Sequence, residues 1–303
     1  MKKRKLGNSD LYVSELGLGC MSLGTDPIKA HEIIEEAIRV GINFFDTADL
    51  YDYGENEMLV GQALKRYREQ LIIATKGGNR WNEQKNGWRW DPSKKYLKEA
   101  VKDSLKRLGV DYIDLYQLHG GTIEDPIEEI IEAFEELKAD GYIRYYGISS
   151  IRPNVIKEFV KKSNISSVMM QYSILDRRPE EEALPLLQNK GIGVMTRGPL
   201  AKGLLTNKML EKAIENSYLD YSATELKDVI YQLREKISTR NSMTEIALHY
   251  NLANPTVSSV ITGASSVEQI RENAKAVQAT PLSDKEQAVI QSIVKMNTYG
   301  EHR

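Results

Sequence analysis

Four residues of this chain have side chains suited to proton chemistry, three at the end of an apolar run and the fourth in the loop just beyond one. Asp46 closes Gly41-Ile42-Asn43-Phe44-Phe45, Tyr51 follows five residues later, Lys76 ends Leu71-Ile72-Ile73-Ala74-Thr75, and His119 ends Ile113-Asp114-Leu115-Tyr116-Gln117-Leu118. Each has an ordinary structural reading by itself: a helix cap, a loop tyrosine, an edge lysine, a satisfied core histidine. Together they describe a site. A lysine ending a buried strand is costly without a carboxylate, and Asp46 supplies one. An ammonium about 4 Å from a phenol supports phenolate by about 4 kcal/mol at an effective dielectric of 20, before burial offsets it. Tyr51 then becomes a usable proton donor and acceptor. His119 would hydrogen-bond the oxygen of a carbonyl substrate and orient it as negative charge develops.

The elements that must position these residues alternate regularly. The chain opens with a hairpin, Lys2 to Leu6 and Leu11 to Val13, around the turn formers Gly7-Asn8-Ser9-Asp10. Eight strands are expected at 14–19, 43–48, 71–76, 112–119, 143–149, 168–173, 192–196 and 257–262. Helices are expected at 28–40, 55–65, 93–108, 126–140, 153–162, 179–189, in segments between 224 and 252, and at 266–276. Eight apolar strands separated by helices, with no linker, predict a single (β/α)8 TIM barrel over residues 1–303, with an N-terminal hairpin and an extra C-terminal helix at 283–296. An open sheet is the alternative, but it would need two polar edge strands. In a barrel, neighbouring strand ends lie about 5 Å apart, so Asp46, Lys76 and His119 meet. Parity agrees: Phe44 and Asp46 share a side, as do Ile72, Ala74 and Lys76, and Leu115, Gln117 and His119. The long stretches 77–90 and 197–221 both follow strands and belong at the mouth, with Trp81, Trp88 and Trp90 either walling the pocket or covering a helix.

Composition narrows the function classes. The 303 residues carry 41 Lys and Arg against 43 Asp and Glu, a balance that favours neither nucleic acid nor an acidic membrane surface. One cysteine, Cys20, excludes an intrachain disulfide framework and fits a reducing, cytoplasmic setting. The four histidines lack ligand spacing, so no metal is expected. The basic start Lys2-Lys3-Arg4-Lys5 is followed by no apolar run, and no stretch reaches bilayer-spanning length. The expected partner is small; oligomeric state is left open. Gly17-Leu18-Gly19-Cys20-Met21-Ser22 is a near miss to a dinucleotide fingerprint and does not support a Rossmann domain.

The motifs resemble those of the aldo-keto reductases across nearly the whole chain. Gly41 to Ala48 with Tyr51, Gly54 and Glu57, then Ala74-Thr75-Lys76, then Asp114 to His119, are similar to the family's signature blocks. The resemblance implies a catalytic tetrad of Asp46, Tyr51, Lys76 and His119. It further implies reduction of an aldehyde or ketone with NADPH as hydride source and Tyr51 as general acid.

The same resemblance implies the cofactor contacts. Ser149, in Gly147-Ile148-Ser149, and Gln171 would bind the nicotinamide carboxamide, with Ser150 where asparagine is often found. Gly198, Pro199, Leu200 and Lys202 belong to the pyrophosphate loop, with Lys208 a further phosphate contact. Gly263, Ser265, Gln269, Glu272 and Asn273 belong to the adenosine-phosphate segment, and Cys20, Met21 and Asp46 would line the site. Arg197 stands where an aromatic residue commonly stacks on the nicotinamide, and its guanidinium offers either stacking or a phosphate contact. Ser265 stands where many NADPH-specific members are basic, so NADH is not excluded. A regulatory or redox-sensing module similar to the potassium-channel β-subunits is the alternative function, against which the complete tetrad favours catalysis. A metal-dependent barrel isomerase or hydrolase is a third.

Overall fold

The computed structural model describes residues 1–207, 216–237, 240 and 242–303. In chain order the elements begin with β1 (Lys3–Lys5), β2 (Tyr12–Ser14), β3 (Leu16–Gly19), α1 (Pro27–Arg39), β4 (Phe44–Asp46), α2 (Glu55–Leu64) and β5 (Ile72–Gly77). They continue with β6 (Asn79–Trp81), β7 (Trp88–Trp90), α3 (Lys94–Leu108), β8 (Ile113–Leu118), α4 (Ile127–Ala139), β9 (Ile143–Ser149) and α5 (Pro153–Lys162). The last are β10 (Ser167–Gln171), α6 (Ala183–Asn189), β11 (Gly193–Arg197), α7 (Ala223–Lys236), α8 (Met243–Ala253), β12 (Val257–Gly263), α9 (Val267–Gln278) and α10 (Asp284–Ile293).

Eight parallel strands close in the order β10-β11-β12-β3-β4-β5-β8-β9, and the pairing Val260↔Leu16 through Gly263↔Gly19 seals the ring. Closure removes both sheet edges, which settles the barrel over the open sheet. Local signals place many of the helix ends. Asp26 accepts from Ile28 N and Lys29 N ahead of Pro27, Ser93 caps α3, and Ser283 with Glu286 forms a capping box on α10.

Strand parity divides the core in two. Phe44, Ile72, Ala74, Leu115, Met169, Met195 and Ile261 pack inside the barrel, and Leu6, Leu11 and Val13 of the β1–β2 hairpin plug its lower end. Phe45, Ile73, Tyr116 and Ile148 point outward to the helices.

Three stretches differ from the sequence reading. The first strand starts at Leu16, because Ser14 pairs with Lys3 in the hairpin and Glu15 turns aside to Arg4, 2.7 Å away. The helix expected at 179–189 starts at Ala183. Glu180 is drawn inward by Arg177, Tyr172 and Tyr250, leaving only a short 3-10 turn at Arg178–Glu180 before the helix. The stretch 77–90, expected to be irregular, contains the antiparallel β6–β7 hairpin, in which Trp81 faces Trp88. Its strands are only three residues each, too short to show alternation. After α10 the tail passes the loop following β10, where Asn297 accepts from Arg177 N and donates to Leu175 O.

Candidate functional site

The parallel register brings the sequence-chosen groups together. Asp46 pairs across the ladder with Ala74, and Lys76 lies two residues further along β5, paired with Gln117 of β8. Lys76 Nζ donates to Asp46 Oδ2 at 2.7 Å, to Thr47 O at 2.7 Å and to Tyr51 Oη at 3.4 Å. The Tyr51 ring meets the His119 ring edge-on, centroids 5.8 Å apart. Beyond Asp46 the chain is pinned by Thr47 N to Ala74 O, Asp49 N to Lys76 O and Thr47 Oγ1 to Asn56 Oδ1. It then turns sharply, with Asp52 and Tyr53 at φ 48° and 51°. Left-handed conformations in non-glycine residues cost about 1–3 kcal/mol each and persist where the surroundings hold them; Lys76 Nζ lies 5.0 Å from the centroid of the Tyr51 ring.

Burial sets the electrostatics. For Lys76, burial alone would lower the pKa, but Asp46 and Tyr51 outweigh it and the ammonium is held above its ordinary value. Burial raises the Asp46 carboxyl while Lys76 and Gln117 pull it down. The ammonium's contacts with the Asp46 carboxylate and the Thr47 carbonyl both favour its charged form. His119 is lowered from 6.5 to about 3 by burial, with Lys76 and Arg197 adding repulsion. Its imidazole is therefore neutral at working pH, and its Nδ1 is buried without a hydrogen-bond partner.

A cavity of about 930 Å³ opens beside Tyr51 and Asp46. Met21, Gln171, Arg197, Gly198, Pro199, Leu200, Lys202, Gly263, Gln269, Glu272 and Asn273, all expected from the sequence to contact a cofactor, line it. Gln171 is already engaged: Nε2 donates to Asp176 and Tyr218, and Oε1 accepts from Arg197 at 3.1 Å. The loop after β11 turns through left-handed residues at Gly198, Ala201, Lys202 and Gly203. Cations from Arg197, Lys202 and Lys275 together with the N-terminal turn of α9 suit an extended, phosphate-bearing ligand.

Other expected residues lie elsewhere. Cys20 is fully buried and burial pushes its thiol up, so its side chain forms no part of the cavity wall. Ser149, Ser265 and His119 are not lining residues either; Ser265 donates its backbone N–H to Gln269 at 2.7 Å, and His119 lies behind the wall against the ring of Tyr51. Lys208 lies outside the described residues. None of the three tryptophans lines this cavity: Trp90 donates to Asp125, Trp81 packs edge-on against Tyr53, and Trp88 is exposed.

Sequence reasoning gave no role to Gln117, whose Nε2 reaches Asp46 Oδ1 at 3.3 Å. A glutamine on the inward parity of an otherwise apolar strand was the available signal. It also passed over Tyr218, Thr244, Glu245 and Lys275, which reach the cavity from distant segments with no local motif. Among the described residues, no group of three or more His, Cys, Asp or Glu is arranged to hold a metal ion. No helix among them is long and apolar enough to cross a membrane.

Comparison with known proteins gives a consistent result. A model of the Aldo/keto reductase family matches residues 15–295. A Bacillus subtilis (strain 168) protein described as "Uncharacterized oxidoreductase YqkF" is 61% identical over 307 residues, covering 100% of both chains. The "NADH-specific methylglyoxal reductase" of Escherichia coli (strain K12) is 33% identical, covering 97% of this chain and 99% of that protein. The solved holo form of aldo-keto reductase AKR11C1 from Bacillus halodurans is 59% identical, with a TM-score of 0.95 and coverage of 100% and 99%.

Proposed function

The chain belongs to the aldo/keto reductase family, and from that membership and the surroundings of Tyr51 we propose that it is an NADPH-dependent reductase converting aldehydes or ketones to alcohols. The observation that carries the reading is Tyr51 on the wall of the cavity, with the Lys76 ammonium 3.4 Å from its hydroxyl and itself 2.7 Å from Asp46. Arg197, Gly198, Lys202, Gln269 and Asn273 would hold the dinucleotide. NADPH, when bound, supplies the hydride for the carbonyl carbon.

The chain's own residues handle the proton. Tyr51 gives its hydroxyl proton to the carbonyl oxygen as negative charge builds there, and is left as a phenolate facing the Lys76 ammonium. Asp46 and the Thr47 carbonyl hold that ammonium from the far side, so its charge is in place before the reaction begins. The neutral His119 imidazole orients the carbonyl oxygen without itself giving up a charge. Tyr51 recovers its proton from solvent after the alcohol leaves.

The preference for NADPH draws on Lys202 and Lys275, two lysines available to an added phosphate. NADH stays within the reading, since the relative from Escherichia coli is described as NADH-specific. We place the enzyme in the reducing cytoplasm, in keeping with its one buried cysteine. The test is steady-state absorbance at the nicotinamide band with a panel of simple aldehydes, ketones and methylglyoxal, with each cofactor in turn. Turnover with NADPH is expected; none with either cofactor would overturn the proposal.

A further inference from the structure

Gly54 and Glu57 follow Tyr51 in the same motif, and the chemistry above uses neither. Glu57 is fully buried at the start of α2, and both its carboxylate oxygens are taken. Oε1 accepts from Thr75 Oγ1 at 2.6 Å and Oε2 from Arg107 Nε at 2.6 Å. Thr75 immediately precedes Lys76, and Gly54 caps α2 where the turn carrying Tyr51 ends. One carboxylate thus ties the segment that presents Tyr51 to the strand that presents Lys76.

Arg107 reaches this place from α3 by passing over Gly54. A Cβ on residue 54 would lie 2.6 Å from Arg107 Cδ and 2.9 Å from Nε, so only glycine leaves the path open. Its φ of +87° points to the same requirement. Arg107 Nη2 also donates to Ser104 Oγ at 3.1 Å, fixing the guanidinium on its own helix. Beside the pair lie Asp49, Tyr96 and Tyr116. Burial, and then the charge on Glu57, hold the Asp49 carboxyl well above its ordinary range, at about 8.

The contact this arrangement governs is a long one. Lys76 to Tyr51 is 3.4 Å, near the limit of a hydrogen bond, whereas Lys76 to Asp46 is 2.7 Å. A small shift of the Tyr51 segment relative to β5 would break the first and spare the second. We propose that Glu57 and Arg107 are positioning residues, an ion pair that sets the distance between Tyr51 and Lys76 and thereby the rate of proton delivery; this rests on the reading of Tyr51 as the proton donor.

The test compares Arg107→Met, Arg107→Lys, Glu57→Asp and Tyr51→Phe with the unaltered enzyme, counting active sites by NADPH fluorescence titration. Arg107→Met is expected to bind NADPH with unchanged Kd while kcat falls about 10- to 100-fold, KM for the carbonyl staying within threefold. Arg107→Lys, which keeps a charge opposite Glu57, is expected to lose less. Folded Arg107→Met with kcat within twofold of the unaltered enzyme would overturn the proposal, as would Arg107→Lys losing as much as Arg107→Met. Should Arg107→Met fail to fold, Glu57→Asp decides. Its carboxylate, one methylene short, cannot span both partners, and a drop in kcat of tenfold or more at unchanged NADPH Kd is expected, whereas unaltered kcat overturns the pair's role. Tyr51→Phe separates the two readings. If it turns over normally, the proton-donor assignment fails; if it is inactive while Arg107→Met is normal, only the ion pair's role fails.

Discussion

Lys76 Nζ stands 3.4 Å from Tyr51 Oη and 2.7 Å from Asp46 Oδ2, so the ammonium is anchored to the carboxylate and faces the phenol across a longer gap. That asymmetry suits a proton donor. The longer contact leaves the phenol free to turn to substrate, while the charge that will stabilise its anion is already fixed.

Tyr51→Phe removes the donor and leaves the rest of the cavity wall intact. Turnover should fall about 100- to 10,000-fold, with NADPH binding by fluorescence titration unchanged. Unchanged turnover would remove Tyr51 from its role.

Lys76→Met leaves Asp46 buried beside an apolar side chain. Loss of one member of a buried ion pair typically costs about 3–5 kcal/mol. Asp46 already titrates above its ordinary value because of burial, and without Lys76 it rises further. The folded variant then binds a proton that the unfolded chain releases, so its deficit shrinks as pH falls. Urea denaturation at pH 8 and pH 5 should show the larger deficit at pH 8.

His119, held at about 3 against an ordinary 6.5, stays neutral in the folded protein while the unfolded chain takes up a proton below about pH 6.5. Its contribution to stability is therefore present above that pH and lost as pH falls toward 3. In catalysis, no acid limb between pH 5 and 8 should arise from this residue. A kcat profile with a limb near 6.5 that vanishes in His119→Gln would contradict a neutral imidazole.

Asp49 works in the opposite sense. With a folded pKa of about 8 against an ordinary carboxylate value of 3.8, the folded state binds more protons than the unfolded one between those pH values. Stability falls as pH rises across that window, by on the order of 6 kcal/mol at most. Asp49→Asn should be more stable than the unaltered protein at pH 9, with the gap closing toward pH 4. Parallel pH dependences in thermal melts of the two proteins would rule this out.

The sequence by itself carried the barrel and much of its chemistry. Alternating apolar strands and capped helices gave eight βα units, and the two-residue period of a strand put Asp46, Lys76 and Gln117 on the inward face of neighbouring strands. Resemblance to known motifs then pointed to part of the cavity's lining, the segments around Arg197 to Lys202 and Gly263 to Asn273. Tertiary structure decided everything that joins residues distant along the chain through loops or helix faces. The pairing of β12 with β3, the threading of Arg107 past Gly54 to Glu57, and the bond from Gln117 to Asp46 are of this kind. So are Tyr218 and Lys275 on the cavity wall, the burial of Cys20 in the layer between barrel and helices, and the β6–β7 hairpin that carries the tryptophans away from the cavity. Local periodicity reports which face of its own element a side chain takes. Which partner waits on that face depends on register, helix approach and loop path, and those are set only when the whole barrel closes.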